Sequence, residues 1–200
     1  MAAIQNSLCN APERPVTAGS AVALLRRFYS QAGAPPPLIE SIAADALPEV
    51  ARSLLAHDSD MTSTLEQFYK AAIHIRVLRR ERLHSLYLRE VVLVTENGLP
   101  VEYGVIKIDL NRFPGEARQL ILAERLPLGR ILQEMQIPYL SRPQTFYAIS
   151  PNRYIAEQLG LESCPKLYGR RNLLLNPERK LLADVLEILA PAQAGEFFEI

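Results

Sequence analysis

The segment 86-LYLREVVLVTENGLPVEYGVIKIDL-110 constrains the fold more than any other part of the chain. Two runs rich in β-branched and aromatic residues flank 96-ENG-98, and Asn97-Gly98 is a pair able to take positive φ. The pattern predicts an antiparallel hairpin with strands over 85–95 and 101–110. Counted by twos, Tyr87, Arg89, Val91 and Leu93 share one face of the first strand. Leu86, Leu88, Glu90, Val92 and Val94 share the other, so each face is apolar apart from one charge. A guanidinium cannot shed its charge on burial. Arg89 therefore needs an internal carboxylate, a strand end open to water, or a ligand.

Period-two alternation recurs on both sides of this hairpin. In 72-AIHIRVLRRER-82, Ile73, Ile75 and Val77 alternate with His74 and Arg76, the mark of a strand with one wet face. Its arginine cluster is either a solvated strand end or a grip for phosphates. Near the C-terminus, 171-RNLLLN-176 and 180-KLLADVLEILA-190 flank Pro177-Glu178 as a second strand pair. Glu187 shares a face with Val185 and Leu189 there. Desolvation raises the pKa of such a carboxyl, unless an internal cation, Arg89 among the candidates, pairs with it. Gly169 preceding Arg170-Arg171 is the sort of glycine turn that can aim two guanidinia inward.

Helical spacing governs other segments. Thr17 to Gln31 reads as a helix capped at Ser20, with Ala21, Leu24, Leu25 and Phe28 on one face. A second helical stretch is expected over Leu38–Leu55, bent at Pro48, and a third over 116–136, broken at Pro127-Leu128-Gly129. Helices followed by mostly antiparallel strands mean an α+β fold. We expect a loose tail over 1–16 and one domain over 17–200.

Composition excludes several function classes. Lys plus Arg equals Asp plus Glu at 22 each, so no bulk field points to nucleic acid or an anionic membrane surface. No apolar run approaches the roughly 20 residues of a membrane span, and the start lacks a secretory pattern. The expectation is a cytoplasmic protein. Cys9 and Cys164 make no disulfide framework, and His57, His74 and His84 lack metal-ligand spacing. Dinucleotide, P-loop and nucleophile-elbow motifs are absent, and no cofactor is expected.

Five segments in order, 54-LLAHDSDMTSTLE-66, 88-LREVVL-93, 127-PLGRIL-132, 168-YGRR-171 and 187-EILAP-191, resemble the chorismate lyase (4-hydroxybenzoate synthase) family. The likeness is to its divergent cyanobacterial and actinobacterial branch and covers about residues 50–191. It implies one antiparallel sheet flanked by helices, with the ligand enclosed under helical flaps. The implied function is a cofactor-independent lyase turning chorismate into 4-hydroxybenzoate and pyruvate, a step of quinone biosynthesis. By the same resemblance, Arg89 holds the ring carboxylate with the backbone amides of Met61 and Leu128. Glu187 contacts the ring's oxygen substituent, and Arg89 and Glu187 are the implied catalytic pair.

This chain departs from the family at one place. A second arginine of the proteobacterial enzymes aligns near Val105 here, so either Lys107, Arg130, Arg170 or Arg76 serves a second carboxylate or this branch holds that side chain differently. Two alternatives stand beside the lyase: an enzyme acting on a related chorismate derivative, and a non-catalytic module binding an aromatic carboxylate. Effector domains of some transcription regulators share the fold, normally joined to a helix-turn-helix unit, and the first 50 residues show no such unit. Expected partners are thus the small-molecule substrate and product, with neither nucleic acid nor membrane. Short exposed strand edges are compatible with a homo-oligomer.

Overall fold

The computed structural model describes residues 20–192; the tail expected over 1–16, and residues 17–19 of the first expected helix, lie outside them. Helix α1 (Ala21–Gln31) begins where the sequence places its cap, the Ser20 hydroxyl accepting the Ala23 N–H at 3.2 Å. Strand β1 (Leu38–Ile42) follows, and then helix α2 (Glu49–Leu55). The helix expected over 38–55 therefore exists only in its last third. Pro48 sits at the N-cap of α2 and starts that helix instead of bending a longer one. The residues before it pair as a strand, with Ile39 opposite Ile149.

Helix α3 (Met61–Tyr69) is capped by Asp60, whose Oδ1 accepts the Ser63 N–H at 2.8 Å. Strands β2 (Ile73–Leu83), β3 (Leu86–Thr95) and β4 (Pro100–Asp109) then form the meander that the alternation predicts. Gly98 supplies the positive φ at the β3–β4 turn, +82°. Helices α4 (Gly115–Ala123) and α5 (Leu128–Glu134) flank the expected break at Pro127. Strand β5 (Leu140–Ser150) and helix α6 (Arg153–Gln158) precede the closing pair β6 (Leu167–Leu175) and β7 (Leu181–Leu189).

All seven strands form one antiparallel sheet in the order β1-β5-β6-β7-β4-β3-β2. The fold is α+β, a single antiparallel sheet flanked by helices, as expected. One face carries Leu88, Val92, Tyr103, Val105, Leu186 and Ile188, buried beneath α1 and α6. The opposite face is divided. Ile106, Ile108, Ala183 and Val185 pack under α4 and α5. Leu93 and Leu189 pack under α2 and α3. Two apolar clusters on one face leave a seam between them, and the candidate site lies in that seam.

Gly169 occupies a strand position, not a turn, so Arg170 and Arg171 point to opposite faces. Its lack of a side chain has a packing cause. A Cβ there would stand 2.3 Å from the Glu187 carbonyl oxygen of β7.

Candidate functional site

Cross-strand register sets the floor of the site. Arg89 lies opposite Ile106, Ile106 opposite Val185, and Gly104 opposite Glu187. Opposed residues point to the same side of a sheet, so Arg89 and Glu187 share a face. Above them a cavity of about 60 Å³ is bounded by Arg89, Glu102, Glu187, Asn172, Met61 and Leu128. One water needs only ~10–15 Å³, so this is room for a molecule larger than solvent. Gly104 keeps the floor open: a Cβ there would come within 3.2 Å of Glu102 Oε1.

Arg89 is 1% exposed, and its Nε and Nη1 are buried with no hydrogen-bond partner. Burial lowers its pKa to about 10, partly offset by Tyr87 and Glu124, which leaves it charged at neutral pH. Leaving such donors unmade costs free energy, and a charged group more than a neutral one. Among the described residues, Arg89 is the one cation bordering the cavity.

Glu187, by contrast, is occupied. Its Oε2 accepts a hydrogen bond from Arg170 Nε at 2.5 Å, and Arg170 also donates to the carbonyls of Leu55, His57 and Ser59. The pairing considered for Glu187 and Arg89 is thus not the one formed, and the isolated carboxyl expected at 187 is a paired one. Arg170 ties the last strand to the loop leading into α3, and so helps set the height of that helix above the sheet. His57 lies in the same loop, its Nε2 2.7 Å from the Leu54 carbonyl. Desolvation, then the neighbouring Arg170, lowers its pKa.

Two helices begin over the cavity. Met61 and Leu128 are the first residues of α3 and α5, where backbone N–H groups have no partner within their own helix. A Cβ on Gly129 would meet Asp60 Oδ1 at 2.7 Å, so glycine permits the close approach of the two starts. An ion pair between Arg130 and Glu66 joins the same two helices. Tyr139 adds a tie by donating to Asp60 Oδ2 at 3.2 Å.

None of the four cations considered for a second carboxylate borders the cavity. Arg130 and Arg170 are held by Glu66 and Glu187, and Arg76 donates to the Gln158 carbonyl at 3.0 Å. Lys107 lies opposite Leu88, and Val105 packs among the residues under α1, both on the other face from Arg89. The remaining arginines of 76–82 are engaged too: Arg79 with Glu90, Arg80 with Glu124, and Arg82 with the His84 carbonyl. They form a partnered strand edge and not a phosphate grip.

Sequence reasoning missed Glu102. Its side chain is buried, its Oε2 has no partner, and it borders the cavity. Burial first, and then the nearby Glu187 carboxylate, push its pKa well up, against a smaller opposite pull from Arg170. The alternation that singled out Arg89 would have found it, because Glu102, Gly104 and Ile106 fall on one face by the same count.

No protein-family model and no curated protein matches the chain. Among solved structures it is similar to PhnF from Mycobacterium smegmatis, with TM-score 0.52 and 11% identity over 66% of this chain and 64% of that one. Against the effector domain of the same PhnF the TM-score is 0.51, at 11% identity, covering 68% of this chain and 90% of that domain. The ligand-binding domain of a GntR-family transcriptional regulator from Bordetella bronchiseptica follows, with TM-score 0.47 and 16% identity over 60% of this chain and 86% of that one. The chain therefore spans just under two thirds of the length of PhnF. At these identities the likeness to PhnF shows a shared fold.

These findings overturn the expected kinship. The solved structures of like fold are PhnF and its effector domain, and nothing matched supports membership of the chorismate lyase family. The lyase activity, and the chorismate, 4-hydroxybenzoate, pyruvate and quinone-biosynthesis setting attached to it, are withdrawn with it. The reason is physical as well as comparative. Short motifs such as 88-LREVVL-93 and 168-YGRR-171 mark a buried cation and a close strand approach in this chain, and such features of a fold do not by themselves establish an activity. No helix of the described residues is long and apolar enough to cross a membrane.

Proposed function

We propose that this chain is a non-catalytic binding module for a small carboxylate with an apolar body, such as an aromatic acid. One observation carries the reading: a guanidinium sealed in the protein, bordering a cavity, with two of its nitrogens unpartnered. A carboxylate is the partner whose two oxygens match that planar fork, and each charge-assisted hydrogen bond contributes about 1.5–3 kcal/mol. In this reading the backbone N–H groups of Met61 and Leu128, at the starts of α3 and α5 beside the cavity, share the same carboxylate. Val91, Ile106 and Val185 supply an apolar floor for the body of the ligand. Glu187, engaged by Arg170, borders the ligand as an acceptor and fixes the wall it stands on. The fold shared with the effector domain of PhnF agrees with a module that senses a small molecule.

Calorimetric titration of the wild type and of Arg89→Leu with benzoate and with its uncharged counterpart benzamide tests this reading. The expected result is a preference of the wild type for benzoate of about 10- to 100-fold, absent in Arg89→Leu. Equal affinity of the wild type for both compounds would overturn it.

A further inference from the structure

We propose that Glu102 forms a second, specificity-determining pole of the cavity, and that the ligand carries a neutral hydrogen-bonding group, a hydroxyl or carbonyl, at the end remote from its carboxylate. The inference rests on the carboxylate reading of Arg89 and adds the chemistry of the ligand's other end.

Three features of the cavity carry it. First, Glu102 is 3% exposed, borders the same cavity as Arg89, and its Oε2 has no hydrogen-bond partner. A buried oxygen without a partner calls for a hydrogen-bonding group as much as a buried cation does. Second, the two poles stand apart. Ile106, the residue opposite Arg89, is four positions along β4 from Glu102, about 13 Å of strand. That is a separation of backbone positions, and Glu102 leans from its own position toward Gly104; a molecule with two polar ends can engage both groups. Third, the floor between them is bare at Gly104, where a Cβ would crowd Glu102 Oε1 at 3.2 Å and Val91 Cγ2 at 3.6 Å.

The charge of the far group follows from the surroundings of Glu102. The neighbouring Glu187 is neutralised by Arg170, so the acidic wall carries no surplus cation to balance a second carboxylate. Burial and Glu187 together favour the protonated form of Glu102. A carboxylic acid both donates and accepts, and so matches a hydroxyl or a carbonyl. An ammonium would first have to drive the proton off, which costs part of what it gains.

Three isosteric acids test the proposal: 4-ethylbenzoate, 4-(hydroxymethyl)benzoate and 4-(aminomethyl)benzoate, titrated by calorimetry into wild type, Glu102→Leu and Glu102→Gln. In the wild type the hydroxymethyl compound is expected to bind about tenfold more tightly than the ethyl compound, and the aminomethyl compound no more tightly. Glu102→Leu should erase that preference while still binding 4-ethylbenzoate. Glu102→Gln, whose amide also donates and accepts, should keep it. Binding of 4-ethylbenzoate with no hydroxyl preference in the wild type, or a preference that survives Glu102→Leu, overturns the role of Glu102 alone. An ammonium preference overturns the neutral far group. Failure of all three acids to bind the wild type overturns the Arg89 reading and this inference together.

Discussion

Among the described residues two arginines lie wholly inside the protein on the same face of one sheet, and their surroundings differ in kind. Arg170 on β6 is 0% exposed and is fully engaged, with Glu187 and three backbone carbonyls around its guanidinium. Arg89 on β3 is 1% exposed and has Nε and Nη1 unpartnered beside a cavity. The first is architecture: it joins the last strand to the loop that leads into α3. In the proposed reading the second is a receptor group, because a bound carboxylate would satisfy it. Burial alone does not mark a functional charge. Burial without a partner is what the proposed reading turns on.

If that contrast is right, the two positions respond to removal in opposite directions. Arg170→Leu strands the buried Glu187 carboxylate and three carbonyls, so unfolding in urea should show a loss of about 3–5 kcal/mol. Arg89→Leu removes a charge with no partner and should leave the ligand-free chain unchanged or more stable, by up to about 4 kcal/mol on the same measurement. A large loss at Arg89, or none at Arg170, would break the comparison.

A smaller effect sharpens it at Glu102. The folded chain holds this carboxyl protonated to higher pH than the unfolded chain does. Below about pH 4, both states carry the proton and the group contributes nothing to pH dependence. As pH rises above that range the unfolded chain ionises first, so stability falls until Glu102 itself ionises. Glu102→Gln should therefore gain on the wild type as pH increases through this window, and thermal melts across pH 4–8 should show the gap widen. A gap that is constant or shrinks would contradict the assigned environment.

The least effect is expected on the far side of the sheet. Glu90, the residue after Arg89, is also buried, yet it accepts from the Tyr103 hydroxyl and has Arg79 Nε 3.2 Å from its Oε2. That second contact is close enough for an ion pair, although Oε2 makes no aligned hydrogen bond. Arg79 is 30% exposed and the Tyr103 hydroxyl still serves Glu90 without it, so Arg79→Met should cost about 1–3 kcal/mol in a urea titration, less than Arg170→Leu. Carboxylate binding should be untouched by it.

Much of this contrast was legible beforehand, and the illegible part has a physical cause. Alternation placed Arg89 and Glu90 on opposite faces, and put Glu187 on an apolar one, because side-chain direction in a strand depends only on parity. It could not tell that Glu187 pairs with Arg170 and not with Arg89, since pairing depends on strand order, and β6 and β7 meet through a register no local pattern encodes. Strand β5 hid behind Pro143 and a bulge before Thr145, and five residues of β1 resembled the start of a helix. Glu102 was within reach of the same parity count. Kinship was the part that misled, because short motifs around a buried cation and a tight strand approach report the fold and leave the chemistry open.

The most direct measurement is ¹⁵N NMR of the arginine side chains during titration with benzoate. The Nε–H resonance of Arg89 should shift downfield and become protected from exchange, while that of Arg170, already held by Glu187, stays in place. An unmoved Arg89 resonance, or equal movement of both, would contradict the claim that Arg89 is the group awaiting a carboxylate.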